Sequence, residues 1–192
     1  TGSTLISGNP ELTDQIESDL ACFFHQSSSL LFNSGYDANL GLFSSVPLKG
    51  DTVIYDALVH ASIRDGIRMS LANSYSFAHN DLTNLKDKIS RAKGTVYVAV
   101  ESIYSMDGDQ APLNELIEVC EEHGAYLIVD EAHSGGVLGD EGEGLCTECG
   151  IDARIFAKII TFGKAFGSHG AVVLGSEDLK TYLINFARSL IY

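Results

Sequence analysis

The chain has 192 residues, 45% of them hydrophobic, which is enough for one core of ordinary size. Twelve Lys and Arg against 26 Asp and Glu leave a formal charge of −14, and with no local basic cluster this argues against a nucleic-acid partner. No apolar run nears the ~20 residues of a membrane span, and no basic stretch followed by an apolar one opens the chain. The sequence is therefore read as cytoplasmic, with no membrane partner.

Gly2-Ser3-Thr4 and Gly8-Asn9-Pro10 are turn material. The following stretch, Glu11 to Phe24, carries Leu12, Ile16, Leu20 and Phe23/Phe24 at helical spacing and predicts one buried stripe. Ser29 to Asn33 is a short strand that runs through Ser34-Gly35-Tyr36 into a second helix, a junction whose free N–H groups and positive helix end suit a phosphate. Asp51 to Asp56 is a strand, and His60 starts a helix through Ser70. Ser74 to Phe77 alternates like a strand, and Asn80-Asp81 caps the next helix. Thr95 to Val100 has no polar alternation and predicts a strand covered on both faces.

A polar loop, Glu101 to Asp109, precedes a helix from Pro112 to His123 that stops at Gly124. Strands at Ala125 to Val129, Ile155 to Thr161 and Ala171 to Leu174 follow, with Gly135 to Gly150 as the longest loop and Glu177 to Tyr192 as the last helix. Strands alternating with helices call for an α/β fold: a mainly parallel mixed sheet with helices on both faces. In such sheets ligands sit beyond the carboxyl ends of the strands. Ser34, Tyr55/His60, Glu101/Ser105, Asp130/His133 and Thr161/Lys164 all fall at or just after such ends. Cys22, Cys120, Cys146 and Cys149 are too few for a disulfide framework, and the one CxxC, Cys146 to Cys149, has no second ligand pair, so no metal is expected.

Lys164 emerges from an apolar run into the glycine-rich turn Gly163 to Gly167, and Asp130 ends another run. One amine able to form an imine and one carboxylate able to keep a pyridine nitrogen protonated are what pyridoxal phosphate requires. Asp130-Glu131-Ala132-His133 also spells a helicase signature. A phosphate-cradling GxxxxGK[ST] is missing, however, and Ala165 cannot ligate magnesium.

Five stretches carry a resemblance: Ser34-Gly35-Tyr36-x-Ala38-Asn39; Asp56-x-x-x-His60-Ala61-Ser62; Glu101-x-x-Tyr104-Ser105-Met106-Asp107-Gly108-Asp109; Val129-Asp130-Glu131-Ala132-His133-Ser134-x-Gly136; and Thr161-Phe162-Gly163-Lys164-Ala165. In this order they resemble the pyridoxal phosphate dependent α-oxoamine synthases of fold type I, which join an amino acid to an acyl-CoA with loss of carbon dioxide. The resemblance implies that residues 1–192 form the cofactor-binding large domain, without the family's N-terminal arm and C-terminal small domain. It makes Lys164, His60, Asp130 and His133 catalytic. Lys164 would be the Schiff-base lysine and Asp130 the partner of the ring nitrogen. His60 would stack on the ring, and His133 and Ser105 would bond near the phenolic oxygen. Gly35, Tyr36 and Thr161 would hold the phosphate, while Asn39 and Glu101 match motif positions of less defined role. A homodimer with its site between subunits is implied as well. The Glu101 to Leu113 stretch looks most like the biotin-pathway branch, which uses alanine and a pimeloyl thioester. Glycine-using and serine palmitoyltransferase branches, an aminotransferase and a non-catalytic subunit of the same fold are the alternatives.

Overall fold

The structure, a computed structural model, describes residues 11–191, so the turns expected at Gly2-Ser3-Thr4 and Gly8-Asn9-Pro10 and the Tyr192 end of the last helix lie outside the described residues. In chain order the elements are α1 (Glu11–Phe23), β1 (Ser28–Phe32), α2 (Gly35–Ser45), β2 (Thr52–Asp56), α3 (Ala61–Met69), β3 (Asn73–Phe77), α4 (Leu82–Arg91), β4 (Val96–Glu101), α5 (Leu113–Glu122), β5 (Tyr126–Asp130), α6 (Leu145–Glu148), β6 (Ala157–Thr161), β7 (Ala171–Gly175), α7 (Glu177–Phe186) and α8 (Arg188–Ile191).

The strands form one sheet in the order β1-β7-β6-β5-β4-β2-β3. Strands β3, β2, β4, β5 and β6 run parallel, while β7 is antiparallel to both β6 and β1. This is the mainly parallel mixed sheet that the alternation of elements predicts. All six residues of β4 are buried, which requires cover on both faces. Every strand except β7 therefore points its carboxyl end the same way, and the loops that follow converge there.

Helices α2 and α3 pack against one another at a distance set by a glycine. A Cβ on Gly66 would lie 2.8 Å from both the Asn39 carbonyl oxygen and Phe43 Cβ. That close approach brings the α3 N-terminus, capped by His60, beside the first turn of α2, capped by Ser34.

Three expectations change. In α1, Leu12 is 66% and Ile16 39% exposed, whereas Glu17 is buried. The helix turns Glu17 inward because β1 is an edge strand: Glu17 accepts the Leu31 N–H at 2.9 Å and pairs with Lys180 Nζ at 2.7 Å. The last helix breaks at Ala187 into α7 and α8, and Ser189 Oγ then donates to the Asp37 carbonyl at 2.6 Å, docking α8 on α2. The loop from Gly135 to Gly150 contains the short α6, folded around the buried Glu131 carboxylate, which accepts the Cys146 N–H at 2.9 Å. Cys120 and Cys146 are buried free thiols; burial raises both, Cys120 to about 12. Among the described residues no group of His, Cys, Asp and Glu could hold a metal ion, and no helix is long and apolar enough to cross a membrane.

Gly66→Ala is expected to lower the unfolding free energy by about 1–3 kcal/mol, the range for an added methyl in a packed interface. The test is a lower urea midpoint at an unchanged m value; an unchanged midpoint would show that the helices separate without cost.

Candidate active site

The carboxyl ends of β4, β5 and β6 and the N-termini of α2 and α3 enclose one pocket, lined by Gly35, Tyr36, Asn39, His60, Ser62, Glu101, Asp130, Ala132, Ile159, Thr161 and Lys164. Of the ten residues that the resemblance assigns to the site, nine meet here: eight line the pocket, and His133 touches Lys164; Ser34 and Tyr55, also at strand ends, do not line it. Ser105 stands apart. It is exposed on the turn after β4 and does not line the pocket; its backbone N–H bonds Glu101.

Asp130 ends β5 and is 5% exposed. A buried carboxylate needs donors to offset its lost hydration. The Ala132 N–H supplies one at 2.9 Å to Oδ1, and Asn39 Nδ2 supplies another at 2.7 Å to Oδ2. Asn39 also donates to Ser62 Oγ at 3.0 Å, and Ser62 Oγ lies 2.8 Å from His60 Nδ1. Since the Ser62 N–H also points at His60 Nδ1, at 3.2 Å, that nitrogen is the acceptor and the imidazole proton belongs on Nε2. A continuous chain, Asp130 to Asn39 to Ser62 to His60, thus orients the imidazole. Ser62 was legible only as part of a motif. Its role depends on α2 and α3 lying side by side.

Glu101 ends β4 and pairs in register with Asp130 on β5. Burial first, and then the neighbouring Asp130 charge, push its carboxyl up to about 7, although the N–H groups of His60 and Ser105 stabilise the charged form. Across the pocket, Lys164 Nζ lies 2.6 Å from His133 Nε2. Burial lowers the Lys164 amine against the opposing pull of Asp130 and Glu101. Burial and the nearby Lys164 charge lower His133, with Asp130 opposing. An amine and an imidazole in contact, both shifted toward neutrality, can exchange a proton at Nζ.

At the α2 N-terminus Ser34 accepts the Asp37 N–H and its carbonyl takes the Ala38 N–H, which leaves the Gly35 and Tyr36 amides outside the helix ladder. A Cβ on Gly35 would lie 3.3 Å from both Thr161 Cβ and Oγ1, so the missing side chain lets α2 start close against Thr161, whose hydroxyl donates to the Gly170 carbonyl at 3.5 Å. Free amides at a helix N-terminus are groups that can hold an anion.

A carboxyl raised in the folded state binds its proton more tightly folded than unfolded, so Glu101 favours folding below its ordinary 4.5 and loses that contribution as the pH rises to about 7. Glu101→Gln keeps an acceptor for both N–H groups but cannot ionise. It is expected to gain stability relative to the native chain as pH rises through that window, read from urea midpoints; a pH-independent difference would overturn the assignment.

The family model for class I and II aminotransferases matches residues 1–192. An 8-amino-7-oxononanoate synthase of Emericella nidulans is 44% identical over 206 residues, covering 100% of this chain and 50% of that protein. The enzyme of the same name from Lysinibacillus sphaericus is 40% identical, covering 100% and 50%. Among solved structures, a serine palmitoyltransferase from S. paucimobilis with bound PLP and myriocin superposes with a TM-score of 0.95 at 34% identity, covering 100% of this chain and 50% of that one. The 8-amino-7-oxononanoate synthase of Francisella tularensis gives 0.86 at 36% identity, covering 96% and 53%. The chain spans about half the length of the curated relatives it matches.

Proposed function

The chain belongs to the class I and II aminotransferase family and, within it, to the α-oxoamine synthases, and from that premise we propose that it is part of a pyridoxal phosphate dependent acyltransferase that condenses an amino acid with an acyl-CoA and releases carbon dioxide. The observation that carries this is the pairing of a neutral-shifted Lys164 amine with the buried Asp130 carboxylate in one pocket. Alanine and a pimeloyl thioester are the proposed substrates, supported by the names of the curated relatives and by the Glu101 to Leu113 stretch. A homodimer with its site between subunits belongs to the same reading.

The residues present fit pyridoxal phosphate. The cradle at Gly35, Tyr36 and Thr161 suits a phosphate, and Asn39 Oδ1 is buried with no partner in the same pocket. When bound, this cofactor supplies an electron sink for the α-carbon of an amino acid. Asp130, held by Asn39 and Ala132, would stabilise a protonated pyridine nitrogen. Lys164 Nζ, lowered by burial, would hold the cofactor and, once freed by the substrate amine, could accept a proton, with His133 Nε2 at 2.6 Å placed to exchange it. The His60 imidazole, fixed by Ser62, offers a flat face against a planar ring. Ser105, exposed and outside the pocket lining, contributes through its backbone N–H on Glu101.

A second reading, serine with a palmitoyl thioester, is favoured by the superposition on the S. paucimobilis enzyme. Borohydride reduction of the full chain saturated with pyridoxal phosphate, followed by peptide mapping, should place the adduct on Lys164; an adduct on another lysine would sink the site assignment. Thiol release should require alanine with pimeloyl-CoA. Release with serine and palmitoyl-CoA, or with glycine and acetyl-CoA, reassigns the substrates, and amino transfer to a keto acid without thiol release would make the enzyme an aminotransferase.

Asp130→Asn should retain the cofactor and lose at least about 100-fold in turnover, the scale of a removed electrostatic contact in a transition state. Loss of cofactor binding with normal residual turnover would mean that Asp130 is only structural.

A further inference from the structure

Beside the pocket lies a second polar cluster that the chemistry above does not use. Asp56 ends β2 at 0% exposure. Its oxygens accept the Leu58 N–H at 2.8 Å and the Asn80 N–H at 2.9 Å, and Oδ1 lies 2.9 Å from His79 Nδ1. The other ring nitrogen, His79 Nε2, lies 2.7 Å from Asp109 Oδ2, which also accepts Asn80 Nδ2 at 3.0 Å. A carboxylate oxygen on each ring nitrogen makes both nitrogens donors, so the bridge is an imidazolium between two carboxylates. The groups facing it are Asp56 from β2, Asp109 and the Tyr104 ring from the loop after β4, and the neutral Asn80 from its own loop. Burial alone would lower His79, but the two acids together hold it above its ordinary value.

Asp109 reaches His79 because the loop after β4 doubles back. The Tyr104 N–H donates to the Asp109 carbonyl at 3.0 Å, the Gly108 N–H to the Tyr104 carbonyl at 2.8 Å, and Ile103 bridges Gln110. Tyr104 is buried with its ring edge-on to His79, the centroids 4.4 Å apart. The same turn carries Ser105, whose N–H bonds Glu101, and Glu101 in turn accepts the His60 N–H.

We infer that His79 is a positioning residue of the pocket: by clamping Asp109 to Asp56 it fixes the turn from Ser105 to Asp109, so that Ser105 stays on Glu101 and Glu101 holds the segment that carries His60. This rests on the reading that His60 and Glu101 belong to a pyridoxal phosphate pocket. The clamp joins the end of β2, the loop after β3 and the loop after β4. Its cost of burial is offset by five hydrogen bonds to the two carboxylates.

The test compares the full native chain with His79→Ala and Asp109→Ala, by amide hydrogen exchange without cofactor and by visible circular dichroism with pyridoxal phosphate. In both variants the Ser105 and His60 amides should exchange at least ~10-fold faster while those of α7 keep their rates, as expected of a local opening. The dichroism per bound cofactor should fall, because the face that His60 presents is no longer fixed. Unchanged exchange at Ser105 and His60 would overturn the proposal, and so would faster exchange with unchanged dichroism, which describes a loop fastening and nothing more. Should His79→Ala fail to fold, Asp109→Ala removes the same contact at a side chain that is 42% exposed, and the same two outcomes decide. A native chain that binds no pyridoxal phosphate would instead refute the functional reading, and the exchange measurement would then decide the clamp alone.

Discussion

Two carboxylates at the ends of adjacent parallel strands, Glu101 on β4 and Asp130 on β5, set the terms for the rest of the molecule. Each is almost fully buried, and like charges placed side by side out of water are costly unless donors surround them. Those donors come from elsewhere in the chain: Asn39 on α2, and the backbone N–H groups of His60, Ser105 and Ala132. The close packing of α2 on α3 at Gly66, the return of the loop after β4 and the cap at His60 all serve to bring them there.

The same constraint gives the pocket its chemistry. Glu101 is raised to about 7, while Asp130 accepts the Asn39 amide and the Ala132 N–H. Opposite them Lys164 and His133 share a contact in which burial favours the neutral form of each. Environment therefore moves Glu101, Lys164 and His133 away from their behaviour in water.

A separate buried network stabilises the far end of the site loops. Lys158, at 0% exposure on β6, lies 2.5 Å from Asp152 and 3.8 Å from Glu131, whose other oxygen accepts the N–H of Cys146. Such a pair is weak as a source of stability but strict as a locator, because losing one partner strands the other. It holds the segment after Asp130, and so the loop that carries His133, against the strand that leads to Lys164.

The amino-acid sequence by itself determined the α/β class, most strand and helix positions and the meeting of Lys164 with Asp130, because periodicity marks buried strands and a parallel sheet gathers its strand ends on one side. The tertiary structure alone decided which partners those groups find. Glu17 turns inward against Leu31 and Lys180, the latter 163 residues away, so of the stripe expected at Leu12, Ile16, Leu20 and Phe23/Phe24 the first two face outward while Leu20, Phe23 and Phe24 pack inward. Ser62 becomes a link only when α3 lies along α2, and His79 becomes a clamp only when Asp56 and Asp109, 23 and 30 residues away, arrive on both sides of its ring. Local pattern specifies an element and its apolar face. Hydrogen bonds between segments distant in sequence follow from how the sheet orders its strands, which here places β4 between β5 and β2.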